Sequence, residues 1–140
     1  MNSQTKALTP ELLWDDLRQL MALAEKLGYT FFDVMFEFAW GDEAEDKGWR
    51  DLTVKADSLE EMVGQAEREW DGKLGYDDLF VTLPAAQVRV RYCNDMDLHL
   101  FFAVPNLVTK TILSLWLENG WLYPGDLERV KRLIEYGEAS

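Results

Sequence analysis

Helical periodicity marks four segments of the chain. In each, apolar residues recur every three or four positions and would share one face of an α-helix. The predicted helices cover 9–28, 58–72, 107–119 and 124–134. Typical boundary signals accompany them: Thr9 as a cap before Pro10, and Gly28 as a stop. At Ser58 the sequence SLEE matches a capping box.

Alternation of apolar and polar residues marks four further segments as half-buried strands. They cover 32–40, 49–56, 88–93 and 97–104. The segment 79–81 is a candidate for one more short strand. The order α-β-β-α-β-β-α-α favours hairpins covered by helices. We therefore predict one α+β domain over residues 1–140, with a four-stranded, mainly antiparallel sheet and helices packed on one face.

The register of the last predicted hairpin follows from its side-chain pattern. A two-residue turn would place two arginines among the leucines of the neighbouring strand, because a shift of one residue turns every side chain to the other face. A three-residue loop, 94–96, keeps both faces consistent and pairs Arg91 with His99. We predict this loop. It is also expected to hold Cys93 and His99 too far apart to touch, which argues against a thiol–imidazole site.

The sheet face turned away from the predicted core collects polar side chains. Its members are Asp33, Met35, Glu37, Asp51, Thr53, Lys55, Arg89, Arg91, Asp97, His99 and Phe101. Among them Glu37, Arg89, Arg91 and His99 form a candidate ligand site. Arginine presents a fork of donors to a carboxylate or phosphate, and a histidine beside a carboxylate can act as a general base. The alternative is a solvated face with ordinary cross-strand ion pairs.

The composition of the chain indicates its cellular compartment. The chain has 140 residues, 48% of them hydrophobic, with one cysteine. A single cysteine cannot form an internal disulfide, which favours a reducing compartment. No apolar run is long enough to span a bilayer, and the first residues lack the pattern of a signal peptide. We predict a cytoplasmic protein that does not associate with membranes.

The net charge of −12 is the strongest compositional signal. It argues against direct binding of nucleic acid, because phosphate contacts need lysine and arginine. It favours a basic partner, or simply solubility. The charge is uneven: residues 41–80 hold 13 of the 26 acidic residues and 5 of the 14 basic ones. This segment therefore carries a net charge of −8.

The acidic segment supplies the candidate partner-binding residues. They are Asp42, Glu43, Glu45, Asp46, Glu60, Glu61, Glu67, Glu69, Asp77 and Asp78. The spacing of the first four is not that of a calcium loop, and we predict no metal site in the chain. The glycines form neither a dinucleotide-binding motif nor a P-loop, so no cofactor is expected.

These observations predict a small, non-enzymatic protein-binding inhibitor. It would block a basic partner sterically and electrostatically, as an immunity protein does against a toxin or as a phage or plasmid anti-defence protein does, including anti-CRISPR proteins and DNA mimics. The partner would be a toxin, a nuclease or a nucleic-acid-binding complex. The alternative is a ligand-binding or enzymatic domain that uses the outer sheet face. Helix 107–119, apolar around most of its girth, is a candidate homodimer surface.

Overall fold

The computed structural model describes residues 1–37, 40, 50–70 and 72–136. The strands are β1 (Asn2–Gln4), β2 (Phe31–Phe36), β3 (Arg50–Lys55), β4 (Leu79–Leu83), β5 (Val88–Tyr92) and β6 (Leu98–Phe102). The helices are α1 (Pro10–Leu27), α2 (Leu59–Glu69), α3 (Leu107–Glu118) and α4 (Leu127–Tyr136). None of these helices combines the length and apolar character needed to cross a membrane.

The strands form one antiparallel sheet in the order β1-β6-β5-β4-β2-β3. The predicted α+β class is confirmed, but the prediction of four strands is wrong, because the sheet has six. β1 has only three residues, all polar, so no alternation marked it, and backbone pairing with β6 defines it. β4 is the short segment suspected near residue 80, and it lies at the centre of the sheet between β2 and β5.

The register predicted for the β5–β6 hairpin is confirmed. Arg91 lies opposite His99 and Arg89 opposite Phe101. Past the ladder, the backbone N–H of Cys93 donates to the carbonyl of Asp97 at 2.9 Å. Met96 has a φ of 67°, the left-handed conformation that closes a three-residue hairpin loop. The side-chain pattern alone was sufficient to set this pairing.

The core lies between one face of the sheet and the helices. Alternate residues of the four inner strands are buried on that face, and apolar residues of all four helices join them in one cluster. Polar contacts link the two layers: the hydroxyl of Tyr92 on β5 and the indole N–H of Trp116 on α3 both donate to Asp16 on α1, each at 2.9 Å. On the opposite face the side chains are exposed or half-buried.

Helix boundaries follow the predicted signals except at α2. Thr9 accepts from the N–H of Leu12, and Gly28 ends α1 with a φ of 85°. At Ser58 the predicted capping box is wrong: its hydroxyl bonds to Asp57, in a 3-10 turn over Ala56–Ser58 that leads into α2. Gly72 does not end α2, which stops at Glu69. Gly72 instead faces the indole of Trp40. A β-carbon at residue 72 would lie 2.5 Å from Cε3 of that indole.

Candidate functional site

A groove runs along α1 beside α2. It consists of two depressions of about 600 and about 490 Å³ that share Arg18, Met21, Asp57 and Glu60. The half-buried indole of Trp14 and the side chain of Met21 give it apolar surface. Arg18 crosses between the helices, donating from Nε to Glu60 at 2.8 Å. The groove is thus long and partly apolar, and an ion pair connects its two helices.

Acidic side chains dominate the α2 side of this groove. Of the side chains that line the groove from α2 and the turn before it, Asp57, Glu60 and Glu61 are acidic and Arg68 is basic, a net charge of −2. Within the described residues, Asp57 and Glu61 are exposed and have no basic side chain at ion-pair distance. Lys55 and Arg68 also line the groove, so its acidic side chains are concentrated at the start of α2, in Asp57, Glu60 and Glu61.

The predicted acidic residues divide into several groups. Asp42, Glu43, Glu45 and Asp46 lie outside the described residues. Glu60, Glu61, Glu67 and Glu69 lie on α2, as the helical pattern predicted. Glu67 and Asp77 accept from the backbone N–H groups of Leu74 and Lys73, so both help to shape the loop before β4.

Asp78 departs from the prediction of an exposed acidic surface. It is only 5% exposed. Its carboxylate accepts from Nε and Nη2 of Arg91, at 3.3 and 2.9 Å, and from the N–H of Asn94 at 2.9 Å. The hydrogen bonds between Arg91 and Asp78 raise the pKa of Arg91 above its ordinary value. Asp78 therefore holds β5 and its hairpin loop and does not face a partner.

The predicted outer-face site does not converge. Arg91 is bound to Asp78, and its guanidinium lies 5.5 Å from the ring centre of Phe80. Arg89 lies over the same ring at 5.4 Å and donates to the hydroxyl of Thr82. Among the described residues, no carboxylate lies at ion-pair distance from Arg89. Burial and the nearby Asp78 charge raise the pKa of Glu37. Among the described residues, Arg89 is thus the arginine of this face that has no counter-ion, and its Nε is hydrogen-bonded to Thr82.

His99 belongs instead to a second cluster at the hairpin end. Its Nε2 lies 3.2 Å from Oδ1 of Asp97, and its ring stacks on Phe101. Asp97, predicted on the open face, is only 8% exposed. The ligating atoms of Cys93, Asp97 and His99 all lie within 4.8 Å of one another. The prediction that Cys93 and His99 are too far apart is therefore wrong, because His99 is a diagonal neighbour of Cys93 across the hairpin.

The environment of Cys93 does not favour nucleophilic chemistry. The residue is 3% exposed. Burial raises the pKa of its thiol to about 11, and the carboxylate of Asp97 acts in the same direction. Arg91, which was expected to favour the thiolate, has a smaller opposing effect. At neutral pH the thiol is protonated, whereas a catalytic cysteine needs a lowered pKa.

A buried carboxylate, Asp16, was not predicted from the sequence. It is 5% exposed, and burial raises its pKa to about 6 despite the hydrogen bonds from Trp116 and Tyr92. Beside it, Oε1 of Gln19 has no partner among the described atoms, and both residues line a very small cavity. A signal was available: Asp16 stands three residues after Leu13 and four before Leu20, within the apolar stripe of α1.

Comparison with known proteins gives no relative. No protein-family model matches the chain, and neither a curated protein nor a solved structure matches it.

Proposed function

We propose that this protein is a small, non-enzymatic binding protein that inhibits a basic partner protein by docking a basic, amphipathic segment of it in the groove between α1 and α2. The observation that carries the proposal is the pairing of apolar surface, from Trp14 and Met21, with the acidic side of α2. Interfaces combine buried apolar anchors with complementary charge at the rim. A toxin, a nuclease or a nucleic-acid-binding complex fits this description of the partner.

The charge of the whole chain supports the same partner. A net charge of −12 accelerates encounter with a basic surface and repels nucleic acid. Exposed carboxylates such as Asp57 and Glu61 then select the orientation of the bound segment. The mechanism is steric and electrostatic: the partner's basic surface is occupied, so its own acidic substrate or nucleic acid is excluded.

Reversing the charge of the groove is expected to abolish this binding. The test variant is Asp57→Lys/Glu61→Lys, and the matched control is Glu118→Lys/Glu135→Lys, at exposed positions on α3 and α4 with the same change in net charge. The probe is an amphipathic helical peptide of leucine and lysine, measured by fluorescence anisotropy. We expect affinity to fall at least about tenfold in the test variant and in high salt, where the Debye length shrinks to about 3 Å at 1 M.

Two results would contradict the proposal. One is an equal loss of affinity in the control variant, which would show that the effect depends on net charge alone. The other is equal binding of a peptide with glutamate in place of lysine. The physiological partner is then sought by affinity capture: a protein retained by the wild type and by the control variant, but lost from Asp57→Lys/Glu61→Lys, is the expected result. Identical capture by all three proteins counts against the groove.

The second candidate function is binding of a small anion on the outer sheet face. The guanidinium of Arg89, which has no counter-ion among the described residues, supports it, together with an open depression of about 430 Å³ lined by Phe80, Thr82, Arg89 and Phe101. A carboxylate or phosphate beside an aromatic group would suit these residues. Saturable binding of benzoate or phenyl phosphate, lost in Arg89→Gln, would favour this candidate. Absence of saturable binding to the wild type would remove it.

A further inference from the structure

We propose that Cys93, Asp97 and His99 form a binding site for a divalent transition-metal ion of the zinc type. The three residues supply sulfur, oxygen and nitrogen, the atoms by which proteins bind zinc. Their candidate ligand atoms lie within 4.8 Å of one another at the closed end of the β5–β6 hairpin. The proposal is independent of the groove between α1 and α2.

The distance between two of the ligands already suits a metal. His99 Nε2 and Asp97 Oδ1 are 3.2 Å apart. In a tetrahedral zinc site with bonds of about 2.0 to 2.1 Å, nitrogen and oxygen ligands are about 3.3 Å apart. The sulfur completes the set after a small side-chain movement. Its contact with Oδ1 of Asn94, at 3.5 Å, is a weak thiol hydrogen bond that metal binding would replace.

The hairpin holds the ligands in place. The backbone bond from Cys93 to Asp97 fixes the closed end of the ladder, and the pairing of Arg91 with His99 continues it. Stacking on Phe101, with the two rings 12° from parallel, orients the imidazole. Positioned imidazoles of this kind need little reorganisation to bind a metal.

The charges of the site also suit a divalent cation. Binding displaces the thiol proton to solvent, so thiolate and carboxylate together offset the two positive charges of the ion. The nearest cation, Arg91, is neutralised by its bidentate pair with Asp78. The side chain of His99 is 21% exposed, which leaves a route for a solvent molecule to take the fourth position. The proposed site would thus have three protein ligands and one open coordination position.

Cobalt titration of the whole 140-residue chain tests the proposal. The chain contains one cysteine and one histidine, so a thiolate-to-cobalt charge-transfer band can arise only from Cys93. We expect that band to saturate at one cobalt per chain and to be abolished by zinc. Cobalt binding without the band, or no binding, overturns the proposal and requires no variant that might unfold.

Variants then identify the other two ligands. Asp97→Asn and His99→Gln are each expected to weaken cobalt binding at least tenfold, and Cys93→Ser to remove the band. Asp95→Asn is the matched control, since it makes the same change at an exposed carboxylate two residues away. It should bind cobalt as the wild type does. If Asp95→Asn weakens binding as much as Asp97→Asn, or if His99→Gln binds fully, the assigned ligands are wrong.

Discussion

Replacing Asp16 with asparagine is expected to stabilise the protein at neutral pH by about 2 to 3 kcal/mol. The pKa of Asp16 is about 6 in the folded protein, against an ordinary value of 3.8 for an aspartate. Because the folded-state pKa is the higher one, the folded state binds the proton more tightly. The stability that Asp16 provides is present in full below about pH 4 and is lost as the pH rises through about 6. Asparagine mimics the protonated form and avoids this loss.

The pH profile of the difference is the measurement. Urea unfolding of wild type and Asp16→Asn should give similar stabilities near pH 4, a difference that grows toward pH 6, and a constant difference above about pH 7. Taking the difference in stability between the two proteins cancels the contributions of all other titrating groups. Asp15→Asn, at the preceding and exposed position, is the control, and its stability should follow that of the wild type at every pH. A difference that does not vary with pH would show that Asp16 titrates alike in both states.

A nonpolar substitution at the same position should lack the stabilising effect of asparagine. Asp16→Ala removes the acceptor of both Tyr92 and Trp116. Each buried donor left without a partner costs about 1 to 3 kcal/mol. The alanine variant should therefore be several kcal/mol less stable than the asparagine variant, although both remove the same charge. Equal stability of the two variants would mean that the hydrogen bonds contribute nothing.

Replacing Asp78 with alanine should destabilise the protein by about 2 to 4 kcal/mol. The substitution leaves Arg91 without its counter-ion and the N–H of Asn94 without its acceptor. The side chain of Arg91 is 30% exposed, so solvent reduces the loss from the value of a fully buried pair. Asp78→Asn should cost less, since its side-chain oxygen can still accept from Asn94.

Two measurements distinguish this role from a general surface effect. Urea unfolding gives the global loss, and amide hydrogen exchange at Asn94 reports the hairpin loop, where protection should fall most. Asp33→Ala is the control on the same sheet: Asp33 is exposed, and among the described residues its carboxylate accepts one hydrogen bond, from the hydroxyl of Thr53. If Asp33→Ala costs as much as Asp78→Ala, the buried pair has no special contribution.

Local periodicity predicted much of the fold. The apolar stripes predicted all four helices, and alternation predicted four of the strands and the faces of the β5–β6 hairpin. Even its three-residue loop followed, because charge on the core face excluded the other register. Where local signals were weak, the prediction was wrong. The three polar residues of β1 have no pattern, and the capping box at Ser58 was lost to the neighbouring carboxylate of Asp57.

The candidate sites were less predictable, because they depend on contacts between distant parts of the chain. The acidic character of α2 could be read from its composition, but the groove exists only because α1 packs beside it. From the sequence Asp78 looked like one more surface acid, but in the fold it is buried and contacts Arg91, 13 residues away. The proximity of Cys93 to His99 was within reach of the sequence, since the predicted register already made them diagonal neighbours.

The sequence by itself determined the elements, the two faces of the sheet and the excess of negative charge, since each depends on residue type and spacing alone. Tertiary structure decided which polar groups leave water. Asp16 meets Tyr92 and Trp116 across separations of 76 and 100 residues, and its pKa rises because packing removes solvent from all sides. Burial is a property of the assembled layers, so the same carboxylate is a surface charge in one fold and a titrating core group in another.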